Sequence, residues 1–238
     1  MLEHTEVTTA DGVMPVTVAV PEPASANGGA VIVIQEAFGV DAHIEEVTAR
    51  FAGEGWLAVA PHLFYRSGGG TISYDDTEGM YRHLGALSDA GTLDDIDATL
   101  ALIAQRGIPA ERIALVGFCL GGRVSFLVAG ERTLGATVGF YGGGIVHGRS
   151  ETRPSLLGLA PALKTPWLGI YGGNDPTIPA EEVDALEAAL AAAPVETLVV
   201  RYPGAGHAFL NDRKSGYAPD ASADAWDRTL AWLSRVPA

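Results

Sequence analysis

Residues 113–122 read Ile-Ala-Leu-Val-Gly-Phe-Cys-Leu-Gly-Gly, an apolar run that leads into glycines placed around one cysteine. The run at 113–116 predicts a buried strand, and the pattern G-x-C-x-G at 117–121 predicts a sharp turn from that strand into a helix. Glycines two positions before and after the tip let the strand and the helix approach closely. Cys119 is therefore expected to project above a sheet at a helix N-terminus, where free N–H groups favour a thiolate and a developing oxyanion.

Cys119 is the only cysteine of the chain. A lone cysteine on a buried strand can also serve as a small hydrophobic residue, but the glycines around Cys119 favour a nucleophile over this alternative. One cysteine cannot form an internal disulfide, and no basic and apolar leader precedes His4. These features predict a cytoplasmic protein.

The composition limits the classes of protein to be considered. The chain has 238 residues, of which 47% are hydrophobic, and this size and composition predict a single domain over residues 1–238. Only 15 Lys and Arg oppose 29 Asp and Glu, which gives a formal net charge of −14. This charge argues against binding to nucleic acid or to an anionic membrane, and no apolar run is long enough to span a bilayer. We expect a monomer or a small homo-oligomer.

The order of predicted elements indicates an α/β fold. Asp11-Gly12 followed by a weakly alternating segment at 13–20 predicts an N-terminal edge hairpin. From residue 30 onward, apolar strands alternate with amphipathic helices, which predicts a mostly parallel central sheet with helices on both faces. The predicted strands are 30–34, 56–60, 113–116, 136–141, 166–171 and 197–202, and the predicted helices begin near 44, at 93 after an N-cap at Thr92, at 181 and at 223. The polar loop at 61–74, with glycines at 68–70, is assigned no chemistry.

Two further loops at strand ends carry groups that can assist a nucleophile. Asp175 follows the strand that ends at Tyr171, and His207 follows the strand that ends at Tyr202. The order Cys119, Asp175, His207 is the chain order of a catalytic triad in an α/β-hydrolase sheet. In isolation, Asp175 is equally compatible with a turn residue before a proline and His207 with a structural histidine, but their joint placement favours catalysis.

Five motifs resemble those of the dienelactone hydrolase (carboxymethylenebutenolidase) family of α/β-hydrolases over nearly the whole chain. They are Gln-Glu-Ala-Phe-Gly-Val at 35–40, Gly-Phe-Cys-Leu-Gly-Gly at 117–122, Gly-Phe-Tyr-Gly at 139–142, Gly-Gly-Asn-Asp at 172–175 and Gly-His-Ala-Phe at 206–209. The resemblance implies that Cys119 is the nucleophile, His207 the base and Asp175 its orienting acid. It also implies that Glu36 bonds the resting thiol, and that the backbone N–H groups of Ala37 and Leu120 form the oxyanion hole. For Glu36, a carboxylate that merely favours a helix N-terminus is the alternative.

The sulfur nucleophile narrows the expected substrates. Because a thiolate is itself easily expelled from a tetrahedral intermediate, acyl transfer to sulfur succeeds best when the ester oxygen leaves readily, as in enol-lactones and aryl esters. We therefore expect a cysteine hydrolase of activated esters or lactones that requires no cofactor. The remaining histidines show no metal spacing. The alternatives are a general carboxylesterase or thioesterase, and a non-catalytic hydrolase-fold protein that binds a small ligand.

The chain departs from the family pattern at two positions. Where the family holds a substrate carboxylate with two arginines, this chain has Thr77 and Asn211. Loss of both charge-assisted donors predicts a preference for neutral, fairly apolar substrates. We expect the substrate pocket to be lined by Phe38, Tyr81, Tyr141 and Phe209. Alternatively, a cation from a neighbouring loop replaces the two arginines, and the candidates are Arg66, Arg82 and Arg213.

Overall fold

A computed structural model describes residues 2–237, which contain an eight-stranded sheet in the order β1-β2-β4-β3-β5-β6-β7-β8. The strands are β1 (Leu2–Thr9), β2 (Gly12–Ala19), β3 (Ala30–Ile34), β4 (Leu57–Pro61), β5 (Ile113–Phe118), β6 (Ala136–Phe140), β7 (Trp167–Gly172) and β8 (Thr197–Tyr202). β1 and β2 form the N-terminal hairpin and β2 pairs antiparallel with β4. All remaining pairs are parallel. This arrangement confirms the predicted edge hairpin and mostly parallel sheet.

The core lies on both faces of the sheet. Every residue of β3 is buried, and alternate residues face opposite sides: Val31 and Val33 belong to one hydrophobic cluster, whereas Ile32 and Ile34 belong to the other. This is why the strand reads as a continuous apolar run. The cluster with Val31 includes Phe51 and Trp226, whose rings lie 4.6 Å apart.

Six α-helices accompany the strands: α1 (Ala42–Gly53), α2 (Thr77–Gly85), α3 (Asp89–Ala104), α4 (Leu120–Glu131), α5 (Ala180–Leu190) and α6 (Pro219–Leu233). Helix α3 begins earlier than predicted, because Ser88 rather than Thr92 is its N-cap and accepts from the Gly91 N–H at 3.0 Å. Helix α2 was not predicted, because it is short and lies in a polar region. Asp76 caps it by accepting from the Gly79 N–H at 2.8 Å. Within residues 2–237, no helix combines the length and apolar character needed to cross a bilayer.

Candidate active site

Cys119 occupies the turn between β5 and α4, and its backbone has φ 54° and ψ −106°. A positive φ is strained for a residue with a side chain, so the surroundings must hold this turn in place. A Cβ on Gly117 would overlap the backbone of Gly121, which explains the small residues at both positions. The Cys119 N–H donates to the carbonyl oxygen of Phe140 at 3.0 Å, which ties the turn to the neighbouring strand β6.

The structure brings together Cys119, His207 and Asp175, as the sequence predicts. His207 Nε2 lies 3.1 Å from Cys119 Sγ, and His207 Nδ1 lies 2.6 Å from Asp175 Oδ2. The other carboxylate oxygen, Oδ1, accepts from the Thr177 N–H at 2.8 Å and from its hydroxyl at 2.7 Å. Thr177 was not predicted as a site residue. Its signal in the sequence is its position two residues after the acid, in a tight turn that lets the side chain of Asp175 bond the following backbone.

The loops of the acid and the histidine are also joined through their backbones. The Gly173 N–H donates to the Tyr202 carbonyl oxygen at 2.8 Å, and the Asn174 N–H donates to the Ala205 carbonyl oxygen at 2.9 Å. These bonds fix the distance between two loops that are about 30 residues apart in sequence. The imidazole is thereby placed by the fold as well as by its own hydrogen bonds.

The electrostatics of the site favour a protonated His207. Burial disfavours the imidazolium, but hydrogen bonds to Asp175 and Cys119 outweigh it and raise the pKa of His207 from 6.5 to about 10. For Asp175, burial alone would raise the pKa, and the hydrogen bonds to His207 and Thr177 overcome that effect and lower it. The carboxylate side chain is 1% exposed and the imidazole 25% exposed. The arrangement can therefore hold an imidazolium between a carboxylate and a sulfur.

The two predicted oxyanion donors belong to the segments that follow β3 and Cys119. Ala37 follows the end of β3, and Leu120 is the first residue of α4. Within residues 2–237, neither N–H donates to a protein acceptor, although both residues are buried. The loop that carries Ala37 is fixed by the buried side chain of Gln35, whose Oε1 accepts from the Leu63 N–H at 3.1 Å. Two fixed and free donors are what an oxyanion hole requires.

Glu36 does not bond the thiol, contrary to expectation. Its Oε2 accepts from Lys214 Nζ at 2.8 Å and from Asn211 Nδ2 at 3.1 Å, whereas the hydrogen-bond partner of Cys119 Sγ is His207. An ammonium offers a buried carboxylate a stronger, charge-assisted bond than a thiol does. Lys214 was not predicted as a site residue, because a lysine in a surface loop has no distinguishing sequence pattern.

Comparisons with known proteins assign the chain to a family. The sequence model of the dienelactone hydrolase family matches residues 14–236. The chain belongs to the dienelactone hydrolase family. It is thus a carboxylic ester hydrolase with the α/β-hydrolase fold, as the sequence motifs predict.

Individual relatives resemble this dienelactone hydrolase family member over most of their length. A protein of Salmonella typhimurium described as a candidate carboxymethylenebutenolidase is 35% identical over 223 residues, which are 93% of this chain and 83% of the relative. A relative from Synechocystis with the same description is 37% identical over 202 residues, covering 83% and 82% of the two chains. A crystal structure of a candidate dienelactone hydrolase from Klebsiella pneumoniae superposes with a TM-score of 0.90 at 35% identity, and the match covers 98% of each chain.

Tyr141 is an unusual residue close to His207 in this family member. Its backbone φ is 39°, it is fully buried, and its ring centroid lies 5.2 Å from that of His207. Its hydroxyl meets no partner at good hydrogen-bond geometry within residues 2–237, although it lies close enough to the Glu36 carboxylate for that side chain to favour the protonated phenol. Burial, followed by the nearby charges of Glu36 and Cys119, raises the pKa of the phenol well above 10, so Tyr141 remains neutral.

The four predicted lining residues do not form one surface. Phe209 and Tyr141 are both fully buried, with ring centroids 5.6 Å apart, so neither exposes surface to a substrate in this structure, contrary to the prediction. Tyr81 lies in α2 with 66% of its surface exposed, and its place in the substrate pocket stays a prediction. Phe38 packs edge-on against Tyr74 at 4.8 Å. The loop at 61–74 therefore does contribute a residue next to the site.

The candidate replacement cations are engaged elsewhere or lie in α2. Arg66 bonds Asp95 and Asp11, and Arg213 bonds Glu46. Arg82 lies in the last turn of α2. Lys214, which was not considered, is the cation that reaches the site. Within residues 2–237, His, Cys, Asp and Glu side chains form no group of three suited to a metal ion.

Proposed function

We propose that this enzyme hydrolyses activated esters or lactones, of the enol-lactone or aryl ester type, through a thioester on Cys119. The observation that supports the proposal most directly is the continuous chain of contacts from Cys119 Sγ through His207 to Asp175, with separations of 3.1 Å and 2.6 Å. A thiol, an imidazole and a carboxylate in this order are suited to nucleophilic acyl transfer.

The acylation step uses each group once. Sulfur attacks the ester carbonyl carbon, and the N–H groups of Ala37 and Leu120 stabilise the oxyanion that forms. When the tetrahedral intermediate collapses, the bond from carbon to the ester oxygen breaks, and the imidazolium of His207 gives its proton to that oxygen. The products of this step are a thioester on Cys119 and an alcohol or enol, which is released from an ester but stays attached to the acyl group when the substrate is a lactone.

The deacylation step reverses these roles. His207 takes a proton from water as the water oxygen attacks the thioester carbonyl, and collapse of the second intermediate breaks the bond from carbon to sulfur. The acid product leaves and the thiolate returns to its place beside the imidazolium. Asp175 keeps the imidazole oriented in both steps.

We further propose that neutral substrates are preferred. Asn211, one of the two positions that differ from the family pattern, donates to Glu36 in this structure and carries no charge. The ammonium of Lys214 is already paired with Glu36, so the local charges cancel. A substrate carboxylate would have to compete with this pair. Location in the cytoplasm and assembly as a monomer or a small homo-oligomer remain predictions from the sequence.

The decisive experiment is acyl labelling of Cys119. With an aryl acetate, the wild-type enzyme should show a burst of phenol, an acetyl adduct on Cys119 by mass spectrometry, and continued turnover. Cys119→Ala should abolish turnover and leave the melting temperature nearly unchanged. Retained turnover in that variant would refute the cysteine mechanism, whereas a single labelling event without turnover would indicate a ligand-binding protein. A panel of alkyl esters and thioesters separates a general carboxylesterase or thioesterase from the proposed activity.

A further inference from the structure

The ion pair between Glu36 and Lys214 is largely buried beside the catalytic triad. The carboxylate side chain is 2% exposed and the lysine side chain 20% exposed. Both donors, Lys214 and Asn211, approach the same oxygen, Oε2, and the other oxygen, Oε1, is buried and has no hydrogen-bond partner within residues 2–237. The ammonium and the amide thus both bond one oxygen of Glu36, and the neutral phenol of Tyr141 lies near this carboxylate without a well-formed hydrogen bond.

The lysine is fixed by two aromatic rings. Its Nζ lies 4.4 Å from the ring centroid of Phe38 and 4.8 Å from that of Tyr74, distances at which a cation is attracted to the ring face. Tyr74 is itself anchored, because its hydroxyl donates to Asp41 Oδ2 at 2.7 Å and accepts from Asn211 Nδ2 at 3.2 Å. The position of the ammonium is therefore set by a carboxylate and two rings together.

The other ionisable groups around Glu36 are neutral or negative. Burial lowers the pKa of His43, so this imidazole carries no positive charge at neutral pH, and burial raises the pKa of both Tyr74 and Tyr141, so these phenols are neutral and not anionic. Asp41 is acidic. Lys214 is the cation in direct contact with Glu36.

We propose that Lys214, assisted by Asn211, is a positioning residue that holds Glu36 away from the thiol, so that Cys119 is already paired with His207 in the free enzyme. The proposal rests on the proposed function in that Cys119 is taken as the nucleophile. It differs from the expectation drawn from family resemblance, in which Glu36 bonds the resting thiol. In this chain the free enzyme has its nucleophile prepared before substrate arrives.

Two physical effects support this role. A carboxylate near a thiolate opposes its ionisation, and a cation bound to that carboxylate cancels the effect. In addition, the ammonium restrains the position of the carboxylate, and without it the side chain of Glu36 would be free to turn toward the thiol and accept a hydrogen bond from it. Removing Lys214 should therefore make the thiol harder to ionise through both effects.

The test is the rate of alkylation of the free enzyme by iodoacetamide between pH 5 and 9, without substrate. In Lys214→Met the midpoint of the pH profile should rise by about one unit, which makes alkylation ~10-fold slower below the midpoint. Lys214→Arg should restore the wild-type profile. The double variant Lys214→Met with Glu36→Gln should also recover most of the rate, because the uncompensated charge is gone.

A matched control is Lys164→Met. Lys164 is 49% exposed and lies beside Glu131, so this variant makes the same change in net charge away from the site. Its alkylation profile should equal that of the wild type. An unchanged midpoint in folded Lys214→Met, or a rise that persists in the double variant, would overturn the proposal.

The alkylation readout is independent of ester turnover. If Cys119→Ala retains hydrolysis, the proposed function fails whatever the profile of Lys214→Met shows. If Cys119→Ala is inactive and Lys214→Met alkylates like the wild type, the role of Lys214 alone is refuted. Should Lys214→Met fold poorly, Asn211→Ala provides a second route, because it removes the other donor to Glu36 Oε2 and should shift the midpoint in the same direction by a smaller amount.

Discussion

The Gly121 N–H donates to the carbonyl oxygen of Gln35 at 3.1 Å. This bond connects the first turn of α4 to the loop after β3, and these two segments carry the N–H groups of Leu120 and Ala37. A Cβ on Gly121 would overlap the backbone carbonyl of Ile34. The absence of a side chain at this position therefore keeps the two proposed oxyanion donors at their mutual distance.

Replacement of this glycine should damage stability and activity together. Gly121→Ala pushes α4 away from β3, and we expect a loss of about 1–3 kcal/mol in the free energy of unfolding, as for other overpacked sites, together with a clear fall in kcat/KM. Urea unfolding and ester hydrolysis measure the two effects. Gly85→Ala in α2 is the control, because a Cβ there meets nothing within 4 Å and stability should be unchanged or higher. Equal losses of stability and activity in Gly121→Ala and Gly85→Ala would contradict a close contact between Gly121 and the backbone of Ile34.

The raised pKa of His207 gives a prediction for NMR titration. In the wild-type enzyme the imidazole should remain protonated until the pH approaches about 10, and in Asp175→Asn its pKa should fall, because a bond that favours the imidazolium is weakened. Loss of Cys119 in Cys119→Ala should lower it as well. A value near 6.5 in the wild type would show that the charged pair does not form.

The pKa values of His207 and Asp175 also define the pH range in which these two groups stabilise the folded protein. His207 has a folded-state pKa above its unfolded value, so its contribution is fully present below pH 6.5 and is lost as the pH rises through about 10. Asp175 has a lowered pKa, so its contribution is present above 3.8 and is lost as the pH falls through the lower folded value. The stability advantage of the wild type over Asp175→Asn should thus be greatest between about pH 4 and pH 6.5. Urea unfolding across pH tests this, and a flat difference would contradict it.

A hydroxyl without a partner should cost stability rather than provide it. Tyr141→Phe removes a buried hydroxyl that is near Glu36 but has no partner at good hydrogen-bond geometry, and we expect the free energy of unfolding to stay constant or to rise by up to ~1 kcal/mol. In the control Tyr65→Phe, the lost hydroxyl donates to Asp95 at 3.0 Å, and stability should fall by ~1–3 kcal/mol. Thermal unfolding compares the two. A loss in Tyr141→Phe as large as that in Tyr65→Phe would reveal a hydrogen bond at Tyr141.

The preference for neutral substrates is testable with a matched pair. One aryl ester carries a free carboxylate, and the other carries the corresponding neutral amide. Because Lys214 is occupied by Glu36, kcat/KM for the amide should equal or exceed that for the carboxylate. A tenfold preference for the carboxylate, about 1.4 kcal/mol, would show that a cation does hold the substrate and would refute this part of the proposal.

Much of the fold follows from local patterns. The strands β3 and β5 are buried on both faces, so each is a continuous apolar run that periodicity detects directly. The first residue of α3 was harder to predict, because Ser88 and Thr92 are both suitable N-caps and packing decides between them. Helix α2 escaped prediction because only Gly79 and His83 of its nine residues are buried, which leaves little apolar periodicity.

In the site as well, sequence motifs predicted some residues, whereas others depend on tertiary packing. The proximity of Cys119, Asp175 and His207 could be predicted because each follows a recognisable strand in a fixed order. The ion-pair partner of Glu36 could not be predicted, because Lys214 lies 178 positions away from it in sequence. The order of strands predicts which loops meet at one edge of the sheet. The direction of a long side chain on such a loop depends on contacts such as those with Phe38 and Tyr74, and no rule of sequence spacing describes these contacts.

The lone thiol at the turn between β5 and α4 has a consequence for the enzyme under oxidative conditions. A sulfenic acid formed at Cys119 would have no second cysteine within these 238 residues with which to condense into a disulfide. Restoration of the thiol would then depend on an external reductant, and further oxidation to the sulfinic acid would be permanent unless a dedicated repair enzyme acted on it. The working lifetime of this hydrolase is therefore tied to the supply of small thiols around it.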